Sequence, residues 1–228
     1  MEKERKHHLV VAISRQMASG GSYIGQQLAS RLGCAYLDRD ILLEAAERLH
    51  EDPEALEKQD GKKLNFWERI RREFEEGIPS HAYVPPSLHL RDSPLFKTEK
   101  DIMREAARRG PVVVVGRAGF YVLRDEPGLL SVFLHAPFEF RVEKTREFYF
   151  TERNNLKSIE DAKKALHDSS RQRADFIKSI CGREWRDARN FHICLDSCKV
   201  GWGQSLEIIY NTAMKVEERL RKYEVVHV

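Results

Sequence analysis

Residues 9–33 read LVVAISRQMASGGSYIGQQLASRLG, and this stretch decides the architecture. Leu9–Ile13 (LVVAI) is a continuous apolar run of strand length, which predicts a strand buried on both faces. Ser14–Gly21 is polar and ends in paired glycines, so it predicts a turn. From Ser22 onward, Ile24, Leu28 and Leu32 recur every four residues, which predicts an amphipathic helix stopped at Gly33. A strand, a glycine-containing turn and a helix, in that order, offer free backbone N–H groups and the positive end of a helix dipole to an anion.

Set against the phosphate-binding consensus G-x-x-x-x-G-K-[ST], Gly20 falls on the second glycine and Ser22 on the metal-binding hydroxyl. Arg15 stands where the first glycine belongs, and Gly21 where the lysine belongs. The missing lysine matters, because it normally brings a cation to the β/γ-phosphates, where charge builds up during phosphoryl transfer. If the turn serves that chemistry, another cation must stand in. Arg15 is the candidate, with an ordinary surface ion pair as its alternative. Ser19, Gly20, Gly21, Ser22 and Tyr23 are the expected phosphate cradle.

Outward from this stretch, apolar runs alternate with helical patterns, the signature of a parallel sheet covered by helices. Ala35–Leu37 predicts a brief second strand and Arg39–Leu49 a helix. Val112–Val115 (VVVV) after Pro111 predicts a buried strand, followed by a helix from about Arg117. Leu130–His135 predicts the next strand, Phe138–Phe150 a helix, and Ser158–Ser179 a long polar helix. Phe191–Leu195 predicts a last strand and about Gln204 to Lys222 a final helix. The expectation is an α/β fold of three layers: a parallel sheet of about five strands with helices on both faces, in a single domain over residues 1–228. Residues 60–94 break the rhythm with Pro79, Pro85, Pro86 and Pro94, after a helical stretch at Leu64–Glu76. A substrate-binding insertion is expected at about 50–95, a surface excursion being the alternative. Residues 138–180 are expected to form a lid-like helical segment.

Composition closes off other classes. Lys and Arg total 39 against 36 Asp and Glu, and the net +3 lacks the clustered basic stripe of a nucleic-acid surface. No window approaches the roughly 18 apolar residues of a membrane span. The opening MEKERKHHL is charged and is no secretory signal, so a cytoplasmic location is expected. Cys34, Cys181, Cys194 and Cys198 form no C-x-x-C pair, and reduced thiols are expected. His192, Cys194 and Cys198 fit no zinc spacing, so packing is the expectation there.

Leu9–Gly33, followed by Tyr36-Leu37-Asp38, resembles the cytidylate kinase-like proteins, which open with an I-S-R-x-x-x-S-G-G-x-x-I-G turn in place of the standard phosphate loop. Val115-Gly116-Arg117 is similar to the strand-end Gly-Arg that holds the monophosphate in cytidylate kinases. His135-Ala136-Pro137 with Glu139 and Arg141 resembles the segment opening that family's lid helix. Lys164, Asp168 and Arg171 fall on its R-x-x-x-D-x-x-R pattern, with lysine first. Cys181-Gly182-Arg183-Glu184-Trp185 and Leu195-Asp196-Ser197 match its closing signatures. The resemblance covers about residues 9–220. It departs at Ala118, where cytidylate kinases have aspartate, and at Arg39-Asp40, which replaces Ser-Gly.

The resemblance implies a P-loop kinase-like fold and a Mg²⁺-dependent phosphotransferase that moves the ATP γ-phosphoryl group to a nucleoside monophosphate or similar small acceptor. ATP and Mg²⁺ are the implied cofactors, with Ser22 on the metal. Arg15, Arg117, Asp168 and Arg171 are the expected catalytic residues, Asp168 orienting either the arginines or the acceptor. Asp38, Arg117, Arg141 and Lys164 are expected on the substrate. From the residues alone, Lys164, Asp168 and Arg171 also read as a solvated helix face with ordinary ion pairs. Trp185 and Trp202 read as core or as a stacking surface for a base. A nucleotide-binding or regulatory protein that keeps the fold without turnover is the alternative function. No nucleic-acid or membrane partner is expected, and self-association is left open.

Overall fold

The structure is a computed structural model that describes residues 7–42, 45–46, 94–149, 156 and 158–226. Its elements run β1 (Val10–Arg15), α1 (Gly21–Leu32), β2 (Ala35–Leu37), α2 (Pro94–Arg109), β3 (Val112–Val115) and α3 (Gly119–Val122). They continue with β4 (Leu129–His135), α4 (Phe138–Tyr149), α5 (Ile159–Cys181), β5 (Ile193–Asp196), α6 (Ser197–Val200) and α7 (Trp202–Val226). The helix expected at Leu64–Glu76 and nearly all of the insertion expected at about 50–95 lie outside the described residues.

The five strands form one sheet in the order β2-β3-β1-β4-β5, and every neighbouring pair is parallel. Val10 pairs with Val112 on one side and Leu129 on the other, which makes β1 the central strand. Side chains alternate across a strand, so the apolar runs feed two cores. Val11, Ile13, Val113, Val115, Leu130 and Val132 meet Ile24 and Leu28 of α1 and Ile209 and Ala213 of α7. Val10, Ala12, Val112, Val114 and Phe133 meet α2 through Ile102, Met103 and Ala106, and α5 through Ile177 and Ile180. The chain is therefore a three-layer α/β fold with helices on both faces. Among the described residues, no helix is long and apolar enough to cross a membrane.

Two local departures from the sequence reading have physical causes. The helix expected from about Arg117 starts only at Gly119, because Gly116, Arg117 and Ala118 all adopt left-handed backbone, at φ 87°, 47° and 56°. Helix α2 was not anticipated. Pro94 suits its first position and Phe96, Ile102, Met103, Ala106 and Ala107 its buried face, but the proline cluster ahead of it masks that period. His192, considered with Cys194 and Cys198 for a metal, accepts a hydrogen bond from the Ser131 N–H at 3.0 Å and ties β4 to β5.

Close approach of α1 to the sheet depends on Gly25. A Cβ there would lie 2.6 Å from Val115 Cγ2 and 3.2 Å from Tyr36 Cε2. Gly25→Val is expected to destabilise the fold by about 1–3 kcal/mol through overpacking. Gly110→Ala, whose Cβ meets nothing within 4 Å, should fall within about 0.5 kcal/mol of wild type. Thermal melts of both variants check the contrast.

Candidate functional site

Parallel strands place all their carboxyl ends on one edge of the sheet. That edge gathers Arg15 at the end of β1, Asp38 after β2, Gly116 and Arg117 after β3, Ala136 after β4 and Ser197 after β5. Clefts for ligands in open α/β sheets form on this side.

The turn between β1 and α1 is pinned to its neighbours. Ser19 Oγ donates to the carbonyls of Gln16 and Leu134 at 2.9 and 3.2 Å, and Ser197 Oγ donates to the Ser19 carbonyl at 2.8 Å. Gln16 Oε1 accepts from the Ala136 N–H at 3.2 Å. Gly20 caps α1 in a left-handed conformation, φ 80°, and no side chain caps the first-turn N–H groups. Those groups, on Gly21, Ser22 and Tyr23, keep the positive dipole end open to an anion. Trp202 seals one flank: a Cβ on Gly20 would lie 2.6 Å from its Cδ2, and its ring contacts Tyr23 and Phe148 at 5.6 and 5.7 Å between centroids.

Ser22 is linked to the end of β2 through a phenol. Tyr36 Oη takes a hydrogen bond from Ser22 and donates to Asp38 Oδ2 at 3.2 Å. Burial, reinforced by Asp38, pushes this phenol well above its usual range. Asp38 Oδ1 accepts from the N–H groups of Asp40 and Ile41 at 3.0 and 3.1 Å. Burial and the neighbouring Asp38 raise the Asp40 carboxyl. A hydroxyl and carboxylates are hard oxygen donors of the kind Mg²⁺ takes alongside substrate phosphates, and among the described residues no cluster of three acidic, histidine or cysteine side chains forms a metal site by itself.

Beside this turn is a cavity of about 60 Å³. Four arginines line it, Arg15, Arg39, Arg117 and Arg173, with Gln172 and Trp185. Arg117 donates through Nε to Glu99 Oε2 at 2.8 Å and through Nη2 to the same oxygen. Its guanidinium also lies over the rings of Phe96 and Phe176, at 5.4 and 4.8 Å. Glu99 is fully buried, and its Oε1 has no hydrogen-bond partner. Burial outweighs Arg117 and raises the Glu99 carboxyl. Gln172 Oε1 is likewise buried without a partner. Among the described residues no acidic side chain lines the cavity itself, so they form a cationic concavity.

Residues 10–199 match the model of the cytidylate kinase-like family. The chain belongs to that family. Among solved structures, it is similar to an uncharacterized protein from Eubacterium ventriosum, with TM-score 0.64 and 16% identity over 90% of this chain and 98% of that one. A shikimate kinase from Bacteroides thetaiotaomicron superposes at TM-score 0.49 and 12% identity over 92% and 98% of the two chains. A gluconokinase from Sinorhizobium meliloti superposes at 0.43 and 20% identity over 98% and 99%. Among curated proteins, none matches significantly.

Within this family member, the structure brings Arg15 and Arg117 into one cavity and sets Ser19–Tyr23 beside it. Arg141, 5% exposed, lies at the start of α4; its Nε donates to the Ala136 carbonyl at 3.1 Å and its Nη1 has no partner. Burial, with Arg186 nearby, lowers the Arg141 guanidinium. Asp168 and Arg171 pair with each other at 2.9 Å on an exposed face of α5, and Lys164 is exposed on the same helix. These three are absent from the cavity lining. Sequence reasoning overlooked Arg39, Glu99, Gln172 and Arg173. Helical period could have found Arg173: with Ile177 and Ile180 it forms an i, i+4, i+7 row that faces the core.

Folded Glu99 holds its proton more tightly than it would in the unfolded chain, so its contribution to stability is fully present below the usual glutamate pKa of about 4.3 and declines as pH rises above it. The stability of wild type minus that of Glu99→Gln should therefore fall as pH is raised through that window. Chemical denaturation of both proteins from pH 4 to 8 checks the sign.

Proposed function

We propose that this chain is a phosphotransferase that moves the ATP γ-phosphoryl group to a small acceptor already carrying a phosphate, of the nucleoside monophosphate kind. The observation that carries this reading is the cavity lined by Arg15, Arg39, Arg117 and Arg173 beside the β1–α1 turn. Arginine forks donate two parallel hydrogen bonds to a phosphate, and a cavity built from them suits a dianion better than a neutral hydroxyl.

The chemistry follows from placement. First-turn N–H groups at Gly21–Tyr23 hold the donor's phosphates at the positive end of α1. Ser22 and Asp38, bridged by Tyr36, would hold Mg²⁺, which supplies charge against the β- and γ-phosphate oxygens. Arg39, Arg117 and Arg173 hold the acceptor phosphate. One of its oxygens attacks the γ-phosphorus in line, forming a new P–O bond, while the bond to the β,γ-bridging oxygen breaks and ADP leaves. An already ionised phosphate needs no base, so the protein contributes positioning and charge. Ala118, buried against the cavity, carries no group to read a base, and this argues against strict cytosine selection.

A second reading, nucleotide binding without turnover, is favoured by one observation: Gly21 occupies the position of the phosphate-loop lysine. Purified protein with ATP, Mg²⁺ and CMP, UMP, AMP or GMP, followed for ADP, separates the readings, with shikimate and gluconate as unphosphorylated controls. The expected result is ADP with a monophosphate and none with the controls. Arg117→Ala should raise KM for that acceptor about 10- to 100-fold, the scale of a lost charge-assisted contact. ATP binding without ADP production supports the second reading, and absence of ATP binding overturns both.

A further inference from the structure

Glycine at position 21 has no backbone explanation. Its φ is not in the left-handed region, unlike Gly20 and Gly116 at 80° and 87°. It is the first residue of α1 and is buried, and glycine is among the poorest helix formers. Space explains it. A Cβ on Gly21 would lie 2.5 Å from Arg15 Cβ and 2.6 Å from Arg15 Cγ. The stem of Arg15 fills the volume in which any side chain at residue 21 would begin.

The other end of Arg15 meets a second bare α-carbon. A Cβ on Gly116 would overlap Arg15 Nη1 and lie 3.2 Å from Cζ. One arginine thus runs from the first turn of α1 to the turn after β3, bracketed by two residues without side chains. Its charged end lies at Gly116, in the cavity it shares with Arg39, Arg117 and Arg173 beside the β1–α1 turn. That junction is where a transferring phosphoryl group must pass if donor and acceptor bind as argued above.

We propose that Arg15 and Gly21 are a reciprocal exchange of the two residues that the consensus phosphate loop places in the opposite order. The cation comes from the end of β1 instead of from the first turn of α1, and only one of the two positions can carry a long side chain. Lysine at 21 is excluded by Arg15, and the charge it would have brought is delivered by Arg15. The steric part rests on packing alone; the catalytic part rests on the phosphotransferase reading.

The test compares wild type, Gly21→Lys, Arg15→Gly and the double variant Arg15→Gly/Gly21→Lys by melting temperature and by ADP production with the best monophosphate. Arg15→Met is added because it keeps the Cβ and Cγ stem while removing the charge. Gly21→Lys alone is expected to melt about 3–10 °C below wild type and to lose activity. In the Arg15→Gly background the same substitution should cost no stability, and it should restore turnover at least about tenfold over Arg15→Gly. Arg15→Met should stay folded, with kcat down about 10²- to 10³-fold, the scale of one lost transition-state charge contact, and KM for acceptor changed far less.

Gly21→Lys as stable as wild type overturns the steric exclusion. A double variant no more active than Arg15→Gly, or Arg15→Met with wild-type kcat, overturns the assignment of the cation. Wild type that transfers to no acceptor overturns the catalytic part together with the phosphotransferase reading, while the melting temperatures still decide whether the two positions exclude one another.

Discussion

Parallel pairing of Val10–Arg15 with a strand on each side is the constraint from which the rest of the molecule follows. A parallel neighbour cannot be reached by a tight turn, so each strand must return through a crossover, and the crossovers cover both faces with helices. Covering both faces explains why β1 and β3 are apolar at nearly every position. It also explains why the chemistry collects at one edge: every segment leaving a strand leaves from the same side. The buried core and the cationic cavity are two results of a single strand arrangement.

Charge balance at that edge is unequal by design of the packing. Four guanidinium groups line one small cavity, while Glu99, which pairs with Arg117, is buried and stands outside its lining, and Asp40 offsets part of the charge on Arg39. Arg39 illustrates the consequence, because burial weakens its hold on its proton, with Arg117 and Arg15 adding to the effect. The aromatic faces of Phe96 and Phe176 shelter Arg117 without neutralising it. Left-handed backbone at Arg117 and Ala118 adds strain on the order of 1–2 kcal/mol per residue. An anion in the cavity would relieve the electrostatic share of that stress.

Sequence alone carried the sheet and the turn because both are local signals. LVVAI and VVVV are short, β-branched runs bounded by turn residues, and Ile24, Leu28 and Leu32 keep a four-residue period, so each is read from its own neighbourhood. Arg15, the last residue of β1, and Arg117, two residues past β3, were legible as positions at the carboxyl edge of the sheet, where the structure places both in the cavity lining. Arg173 was not, because its role depends on which side of a long polar helix faces the sheet. The exposed row of Lys164, Asp168 and Arg171 matched a motif, whereas the inward row marked by Ile177 and Ile180 was legible only as period. The pairing of Glu99 was further out of reach. Period alone places Glu99 on the buried face of α2, three residues after Phe96 and three before Ile102, but its partner Arg117, eighteen residues on, is seen only once the chain is folded.

The packing of Arg15 against Gly21 also shapes how such a chain can change over generations. A lineage starting from Arg15 and Gly21 could reach the Gly and Lys arrangement through either of two single substitutions. One intermediate carries both long side chains and crowds the turn. The other carries neither and leaves it without a cation. If the two residues exchange roles as proposed, a valley separates the two loops, and a lineage on one side of it would tend to stay there. A search for the common consensus would pass over every descendant.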